Sequence, residues 1–227
     1  IVSENIADEE SVNEFKKVYS LDDEPIILCL PGSRRSEIDR LMPTFGNTLE
    51  KFSNTLPDAR FVLASTPDVY EYTKTFLDCM PKDLIFLTPE KFGMEKYLEF
   101  KKVSFKISHL ALAASGTVSL ELAANNTPMV IGYDMNFISR HIISFMLKTD
   151  TVNLVNIVTG NRNIPECIGS NFHSEKLFLE MVGVYSNCRN QIKDFETTMD
   201  LLGISKEPPN VRAANSLLSF CENFKKV

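Results

Sequence analysis

Short apolar runs alternate with segments of helical periodicity through most of the chain, and this alternation restricts the possible folds more than any other feature. The runs are continuous and bounded by polar or turn-forming residues, which favours buried strands over helices. They lie at residues 26–30, 60–64, 84–87, 108–114 and 128–133. Strands that alternate with helices predict an α/β fold with a Rossmann-like, doubly wound parallel sheet.

Predicted helices follow each of these runs and continue to the carboxyl end. Helical spacing is found at residues 37–52, 67–79, 93–106, 118–125 and 138–147, and later at 175–186, 191–202 and 211–224. Leu98 and Val103 are predicted to face inward, and residues 152–158 are interpreted as a short strand or loop. We expect a single domain over residues 1–227, with a leading segment at 1–24 that holds one short helix and a helical region at 174–227.

Residues 108–121 carry the clearest chemical signal. An apolar run breaks at Ser115, Gly116 and Thr117 before helical spacing resumes. The glycine lets the backbone approach a ligand, Ser115 or Thr117 is expected to cap the helix, and the N–H groups at the helix start suit a phosphate. Glu121 lies one turn later on the same side as Thr117, where a carboxylate suits the two hydroxyls of a ribose. The stretch therefore predicts a nucleotide site.

A second turn with similar chemistry follows the run at residues 26–30. Residues 31–37 (PGSRRSE) provide a glycine, the Ser33 hydroxyl and the Arg34 guanidinium, which are groups that recognise phosphate. Their spacing matches neither the P-loop nor G-x-G-x-x-G. Because the carboxyl ends of parallel strands meet at one edge of a sheet, we expect this turn and the Ser115 turn to bind one diphosphate. Taken singly, each turn has an alternative interpretation as a plain helix cap.

Composition and charge argue against several other classes. The formal net charge of -6, without a basic stripe, is not that of a nucleic-acid-binding protein. The five cysteines form no C-x-x-C pair and are interpreted as reduced cytosolic thiols, and no spacing typical of metal ligands is present. No transmembrane helix or signal peptide is predicted. No nucleophile–base pair stands out, and His109, His141 and His173 are expected to be structural or surface residues.

The two turns and four further segments resemble a known family. Residues 30–38 (LPGSRRSEI) are similar to the LPGSR-x-x-E-[IV] motif of lipid-A-disaccharide synthases, and residues 114–121 (ASGTVSLE) are similar to their ASGT-x-x-LE motif. The other matches are residues 128–133 with PMVV-x-Y, 148–160 with K-x-x-[YF]-[VI]-x-LPN-[IL]-x-x-G, 165–166 with PE, and 211–214 with the carboxyl-terminal helix. The chain departs from the pattern at Thr151, where an aromatic residue is common, at Val155, which replaces the proline, and at Cys167, where a glutamine is usual.

The resemblance implies the GT-B architecture and an inverting, metal-independent glycosyltransferase without a cofactor. The implied reaction transfers 2,3-diacylglucosamine from UDP-2,3-diacylglucosamine to 2,3-diacylglucosamine 1-phosphate. Its products are UDP and the β-1,6-linked disaccharide precursor of lipid A, the anchor of lipopolysaccharide in Gram-negative bacteria. By the resemblance this chain is the carboxyl-terminal, donor-binding half. We therefore expect the catalytic base in an amino-terminal half that the chain lacks, no catalytic residue within the chain, and no activity of the chain by itself.

The resemblance also implies roles for individual residues. The implied UDP-binding set is Ser33, Arg34, Glu37, Ser115, Gly116, Thr117 and Glu121. Arg34 and the turn N–H groups would neutralise the leaving diphosphate, Glu37 would orient Arg34, and Glu121 would hold the ribose. Tyr133 and Asn156 are expected on the sugar and acceptor side.

Three alternatives remain open at this stage. The acylated substrates imply a cytoplasmic protein that is peripheral on the inner membrane. The first alternative concerns the apolar segment at 137–147, which is interpreted as part of the core but could instead contact lipid. Another GT-B enzyme that uses a UDP-sugar, such as a peptidoglycan glycosyltransferase or a UDP-sugar epimerase, would also carry the two turns. A nucleotide-binding module without catalysis is the alternative from a different class.

Overall fold

The computed structural model describes residues 7–134, 151–203 and 209–224, and within them it contains a six-stranded parallel sheet. The strands are β1 (Ile26–Leu30), β2 (Arg60–Leu63), β3 (Ile85–Phe86), β4 (Leu110–Ala113), β5 (Met129–Tyr133) and β6 (Glu166–Ile168). Their order is β3-β2-β1-β4-β5-β6, and every neighbouring pair is parallel. The order reverses direction at β1 and β4, which makes their carboxyl ends the expected ligand position of such a sheet.

Helices connect the strands and complete the carboxyl-terminal part. They are α1 (Glu9–Tyr19), α2 (Arg35–Thr55), α3 (Tyr70–Lys74), α4 (Pro89–Ile107), α5 (Val118–Ala124), α6 (Leu154–Thr159), α7 (Ser174–Ser186), α8 (Arg189–Leu202) and α9 (Pro209–Phe224), with 3-10 turns at Leu77–Cys79 and Gly169–Asn171. The predicted short helix of the leading segment and the three predicted carboxyl-terminal helices are confirmed as α1, α7, α8 and α9. No helix in the described ranges is both long and apolar enough to cross a membrane.

Alternate side chains of β1 enter two separate apolar layers. Ile26 and Leu28 pack with side chains of α1, α4, α5, α6 and α8 on one face of the sheet. Ile27 and Cys29 pack with side chains of α2 and α7 on the other face. Successive strand residues point to opposite faces, so a strand buried on both sides is apolar throughout, as the sequence of β1 is. The predicted doubly wound α/β fold is confirmed.

Two predicted segments are wrong in their secondary structure. Residues 152–158 lie largely within helix α6, not in a strand or loop, because the Asn153 side chain caps the helix by accepting the N–H groups of Val155 (2.9 Å) and Asn156 (3.1 Å). The helix predicted at 67–79 is divided into α3 and a separate 3-10 turn at Leu77–Cys79. Cys79, the last residue of this turn, packs against Gly46 of α2.

Two further details differ from the predictions. Leu98 is 43% exposed, whereas Val103 is fully buried. The inward face of α4 is formed by Tyr97, Phe100 and Val103, and Leu98 lies off this face. Strand β6 was absent from the predicted pattern, since three residues are too few to show a periodicity. The predicted helix at 138–147 lies outside the described residues.

Candidate functional site

A cavity of about 340 Å³ opens at the carboxyl ends of β1, β2 and β4. Both turns singled out in the sequence border it. Its lining includes Ser33, Arg34, Glu37, Ser115, Gly116, Thr117 and Glu121, together with Leu30, Gly32, Ala64, Ser65, Thr66, Lys101, Ala114 and Val118. The tertiary structure thus brings residues from two distant turns to one place, at the point of the sheet where a ligand is expected.

The turn after β1 is organised around the carboxylate of Glu37. Its Oε2 accepts the backbone N–H groups of Ser33 (2.8 Å) and Arg34 (3.3 Å), and its Oε1 accepts Arg34 Nη1 (2.9 Å). Gly32 has a φ of +109°, and an added Cβ would overlap the Glu37 side chain, so only glycine fits here. The N–H groups of Ser33 and Arg34 are therefore already engaged. What this turn presents to the cavity is the Ser33 hydroxyl and the guanidinium of Arg34, whose side chain is 75% exposed.

The turn after β4 differs in detail from its prediction. Neither Ser115 nor Thr117 caps α5, because the Ser115 hydroxyl donates to the Val152 carbonyl (3.2 Å) and the Thr117 side chain makes no cap hydrogen bond. Gly116 has a φ of +151°, a conformation that side chains rarely adopt, and a Cβ there would touch nothing within 4 Å. Within the described chain, the N–H groups of Ser115, Gly116 and Thr117 donate to no backbone oxygen. They remain available to an anion.

Glu121 and Lys101 are partly buried ionisable groups beside the turns. Burial raises the pKa of Glu121 above its ordinary value, and the neighbouring Lys101 ammonium opposes this shift. Burial also lowers the pKa of Lys101, and Glu121 opposes that change. A carboxylate that is poorly solvated before a ligand arrives gains most from ligand hydroxyl donors.

The two residues assigned to the sugar and acceptor side do not line the cavity. Tyr133 is half-buried at the end of β5 and packs against the apolar layer that contains α2 and α7. Asn156 is fully buried, its amide nitrogen donates to the Ile164 carbonyl (2.9 Å) and to Glu166 (3.1 Å), and its amide oxygen accepts the Ile164 N–H (3.1 Å). The amide of Asn156 is thus engaged within the chain, where it stabilises the connection between α6 and β6.

Glu166 extends this network to the residues that precede α6. Its carboxylate accepts the Thr151 hydroxyl and the backbone N–H groups of Val152 (2.9 Å) and Asn153 (2.9 Å). The Val152 carbonyl in turn accepts the Ser115 hydroxyl, so the network reaches the wall of the cavity. In the sequence, Pro165 and Glu166 are only a motif match. The structure shows that the Glu166 carboxylate holds the backbone at Val152 and Asn153.

Three cavity residues were missed by the sequence analysis. Ser65 and Thr66 follow β2. The feature of the sequence that could have indicated them is a pair of polar residues shortly after an apolar strand. Lys101 lies on α4 between Tyr97 and Ser104, both buried, so the signal was a cation on the inward face of an amphipathic helix. Across the parts of the chain that the structure describes, no three His, Cys, Asp or Glu side chains converge in a way that could hold a metal ion.

Solved structures with a similar fold include glycosyltransferases. The structure resembles ADP-heptose heptosyltransferase II of Escherichia coli (TM-score 0.57, 11% identity) over 81% of this chain and 53% of that one. It also resembles the C-terminal domain of a glycosyl transferase group 1 family protein from Francisella tularensis (TM-score 0.53, 12% identity) over 89% of this chain and 96% of that domain. The six-stranded parallel sheet and these likenesses define the class: the fold is that of one half of a GT-B glycosyltransferase.

Sequence similarity gives the family. Residues 2–215 match the lipid-A-disaccharide synthetase family, and the chain belongs to it. A lipid-A-disaccharide synthase of Ruegeria pomeroyi is 36% identical over 218 residues, which is 96% of this chain and 54% of that protein. Another from Rhodospirillum centenum is 32% identical over 222 residues, which is 96% of this chain and 53% of that protein. The chain thus spans about half the length of the curated relatives it matches.

Proposed function

We propose that residues 1–227 form a single donor-binding domain of a lipid-A-disaccharide synthase. The complete protein would transfer 2,3-diacylglucosamine from UDP to 2,3-diacylglucosamine 1-phosphate, form the β-1,6 linkage with inversion, and release UDP. The observation that carries this proposal is one cavity bordered by the Arg34 turn, the Ser115–Thr117 turn and the carboxylate of Glu121. Membership of the family supports the choice of a UDP-sugar as the donor.

The proposed chemistry of this chain is stabilisation of the leaving group. As the glycosidic bond to UDP breaks, negative charge develops on the diphosphate. The Arg34 guanidinium and the unengaged N–H groups of Ser115, Gly116 and Thr117 would neutralise that charge without a metal ion. Ser33 would add a hydroxyl donor, Glu37 would orient Arg34, and Glu121 would accept the ribose hydroxyls. Tyr133 and Asn156 are not supported as direct sugar contacts by their positions.

The acceptor side is proposed to lie in the part of the longer protein that this chain does not span. The general base and most acceptor contacts would come from there, so the chain alone would bind UDP without turnover. The acyl chains of both substrates would bring the complete protein to the cytoplasmic surface of the inner membrane as a peripheral protein. Nucleic acid is not a proposed partner.

The proposal is tested by two assays with matched substrates. UDP titrated into the 227-residue chain in a calorimeter is expected to bind, whereas the chain mixed with both acylated substrates is expected to release no UDP. The full-length protein is expected to release UDP from UDP-2,3-diacylglucosamine when the acylated acceptor is present. Failure of the chain to bind UDP would remove the proposal. Turnover of unacylated UDP-N-acetylglucosamine by the full-length protein would favour another GT-B enzyme instead.

Binding of a UDP-sugar is expected to weaken at acidic pH because of Glu121. Its pKa is raised from 4.5 by burial, so the carboxylate that would accept ribose hydroxyls is lost at a higher pH than for an exposed glutamate. A UDP-sugar is the suitable probe, since its diphosphate has no terminal phosphate group with a pKa near 6. Affinity measured by calorimetry from pH 7.5 downward should fall as pH approaches the raised pKa.

Glu121→Gln provides the control for this pH dependence. The glutamine variant should bind the UDP-sugar more weakly at pH 7.5, and its affinity should not change further in the acidic range. Because burial penalises the ionised carboxylate in the folded chain, the substitution should not lower thermal stability at neutral pH. The same pH profile in the wild type and in Glu121→Gln would contradict the assignment of Glu121.

A further inference from the structure

The Glu166 carboxylate, which lies outside the cavity, accepts several hydrogen bonds from one short backbone segment. Glu166 is the first residue of β6 and is not among the residues that line the cavity. Its Oε1 accepts the backbone N–H groups of Val152 (2.9 Å) and Asn153 (2.9 Å). Its Oε2 accepts the Thr151 hydroxyl and the Asn156 side-chain amide (3.1 Å). Hydrogen bonds to a carboxylate are roughly twice as strong as those between neutral groups, so Glu166 fixes the position of this segment.

One peptide group of the segment connects Glu166 to the turn after β4. The peptide group between Val152 and Asn153 donates its N–H to Glu166, and its carbonyl oxygen accepts the Ser115 hydroxyl (3.2 Å). A peptide group is planar, so its carbonyl and its N–H cannot rotate independently. The anchor at Glu166 therefore sets the direction in which this carbonyl meets the Ser115 side chain.

The two ends of this connection are held with different firmness. Glu166 pairs with Ile131 of β5, and the Ile131 N–H donates to the Pro165 carbonyl (2.9 Å), so the carboxylate is attached to the sheet. The turn Ser115–Thr117 is partly exposed, and a Cβ added at Gly116 would touch nothing within 4 Å. Where packing is sparse, a single side-chain hydrogen bond has a large influence on the position of the backbone.

We propose that Glu166 is a positioning residue for the turn after β4. Through the peptide group between Val152 and Asn153 and through the Ser115 hydroxyl, it directs the N–H groups of the turn toward the diphosphate. The inference rests on the proposed function, in which these N–H groups neutralise the leaving group, and it extends that function to a residue of the sheet edge. Donors that are oriented in advance need no reorganisation when charge develops.

The first test measures the UDP affinity of variants of the 227-residue chain by calorimetry, well below their unfolding temperatures. Glu166→Ala should weaken UDP about ten-fold, because small displacements of binding groups have large effects. Glu166→Gln should weaken UDP less, since a glutamine retains an oxygen that can accept both backbone N–H groups. In a Ser115→Ala background, Glu166→Ala should cause less than about a two-fold further loss, because the connection is already absent.

Asp194→Ala is the matched control. Asp194 is a buried carboxylate on α8 that accepts the side-chain amides of Asn161 (2.7 Å) and Asn163 (2.8 Å), and it does not line the cavity. Its loss should lower the midpoint of thermal unfolding, as the loss of Glu166 should, but change UDP affinity less than about two-fold. If Asp194→Ala and Glu166→Ala weaken UDP equally, the effect is general destabilisation and the inference is wrong.

Amide NMR signals of the ligand-free chain provide a second test that does not require UDP. Glu166→Ala should shift the signals of Ser115, Gly116 and Thr117, whereas Asp194→Ala should leave them in place. Unchanged signals in Glu166→Ala, or equal losses of UDP affinity with and without the Ser115 hydroxyl, would overturn the inference. If the wild type binds no UDP, the proposed function fails, and the shifts still decide whether Glu166 positions the turn. Glu166→Gln decides both tests if Glu166→Ala does not fold.

Discussion

Gly46→Ala is expected to lower the free energy of unfolding by about 3 kcal/mol, the largest stability change that a single methyl group should cause in this chain. Gly46 lies within α2, where the helix contacts the 3-10 turn Leu77–Cys79. A Cβ at position 46 would overlap the Cys79 carbonyl oxygen and lie 2.9 Å from its carbonyl carbon and 3.2 Å from its Sγ. Because the obstacle is backbone, no side-chain rotation relieves it, and α2 or the turn must move.

Gly183→Ala is the matched control for this substitution. Gly183 is an exposed glycine inside α7, and a Cβ there would meet nothing within 4 Å. Alanine is favoured over glycine in a helix interior, so this variant should be about 0.5–1 kcal/mol more stable than the wild type. In a thermal scan, Gly46→Ala should lower the midpoint by about 10 °C while Gly183→Ala raises it slightly. Equal midpoints for the two variants would mean that α2 and the 3-10 turn are not in close contact.

Arg34→Ala is expected to weaken UDP binding about 100-fold, the largest loss of affinity from any one side chain of the cavity. A guanidinium provides planar, charge-assisted hydrogen bonds to a diphosphate, and such bonds contribute about 1.5–3 kcal/mol each. Arg34→Lys keeps the charge but loses the bidentate geometry, so its affinity should fall between those of the wild type and the alanine variant. Stability should change by less than about 1 kcal/mol, because the Arg34–Glu37 pair is on the surface.

Arg35→Ala supplies a control one residue away. The Arg35 guanidinium lies 5.2 Å from the ring centroid of Tyr72, and Arg35 is not among the residues that line the cavity. Removal of this neighbouring charge should change UDP affinity less than about three-fold at physiological ionic strength, since exposed charges are screened over about 8 Å. If both arginine variants lose affinity equally, the effect is general electrostatic attraction, and Arg34 has no specific role in the cavity.

Local patterns predicted the parts of the fold that have a clear period. The strands at residues 26–30 and 128–133 and the helix at 175–186 are apolar with regular spacing, and the structure places them within one residue of the prediction. Segments whose structure depends on a single contact were not predictable in the same way. Helix α6 is capped by Asn153, and β6 is a strand only because β5 lies beside it.

The sequence by itself determined the α/β class, the two turns and the family, because each of these depends on residues that are adjacent in the chain. Only the tertiary structure decided what shares a cavity with the turns. Ser65 and Thr66 come from the end of β2 and Lys101 from the middle of α4, and they meet the turns because the sheet order places β2 beside β1 and α4 packs against α5. It likewise decided that Asn156 is buried, since its partners Ile164 and Glu166 lie beyond its own helix. The burial of a side chain and its proximity to residues distant in sequence depend on how the whole chain packs, so a local sequence pattern does not predict them.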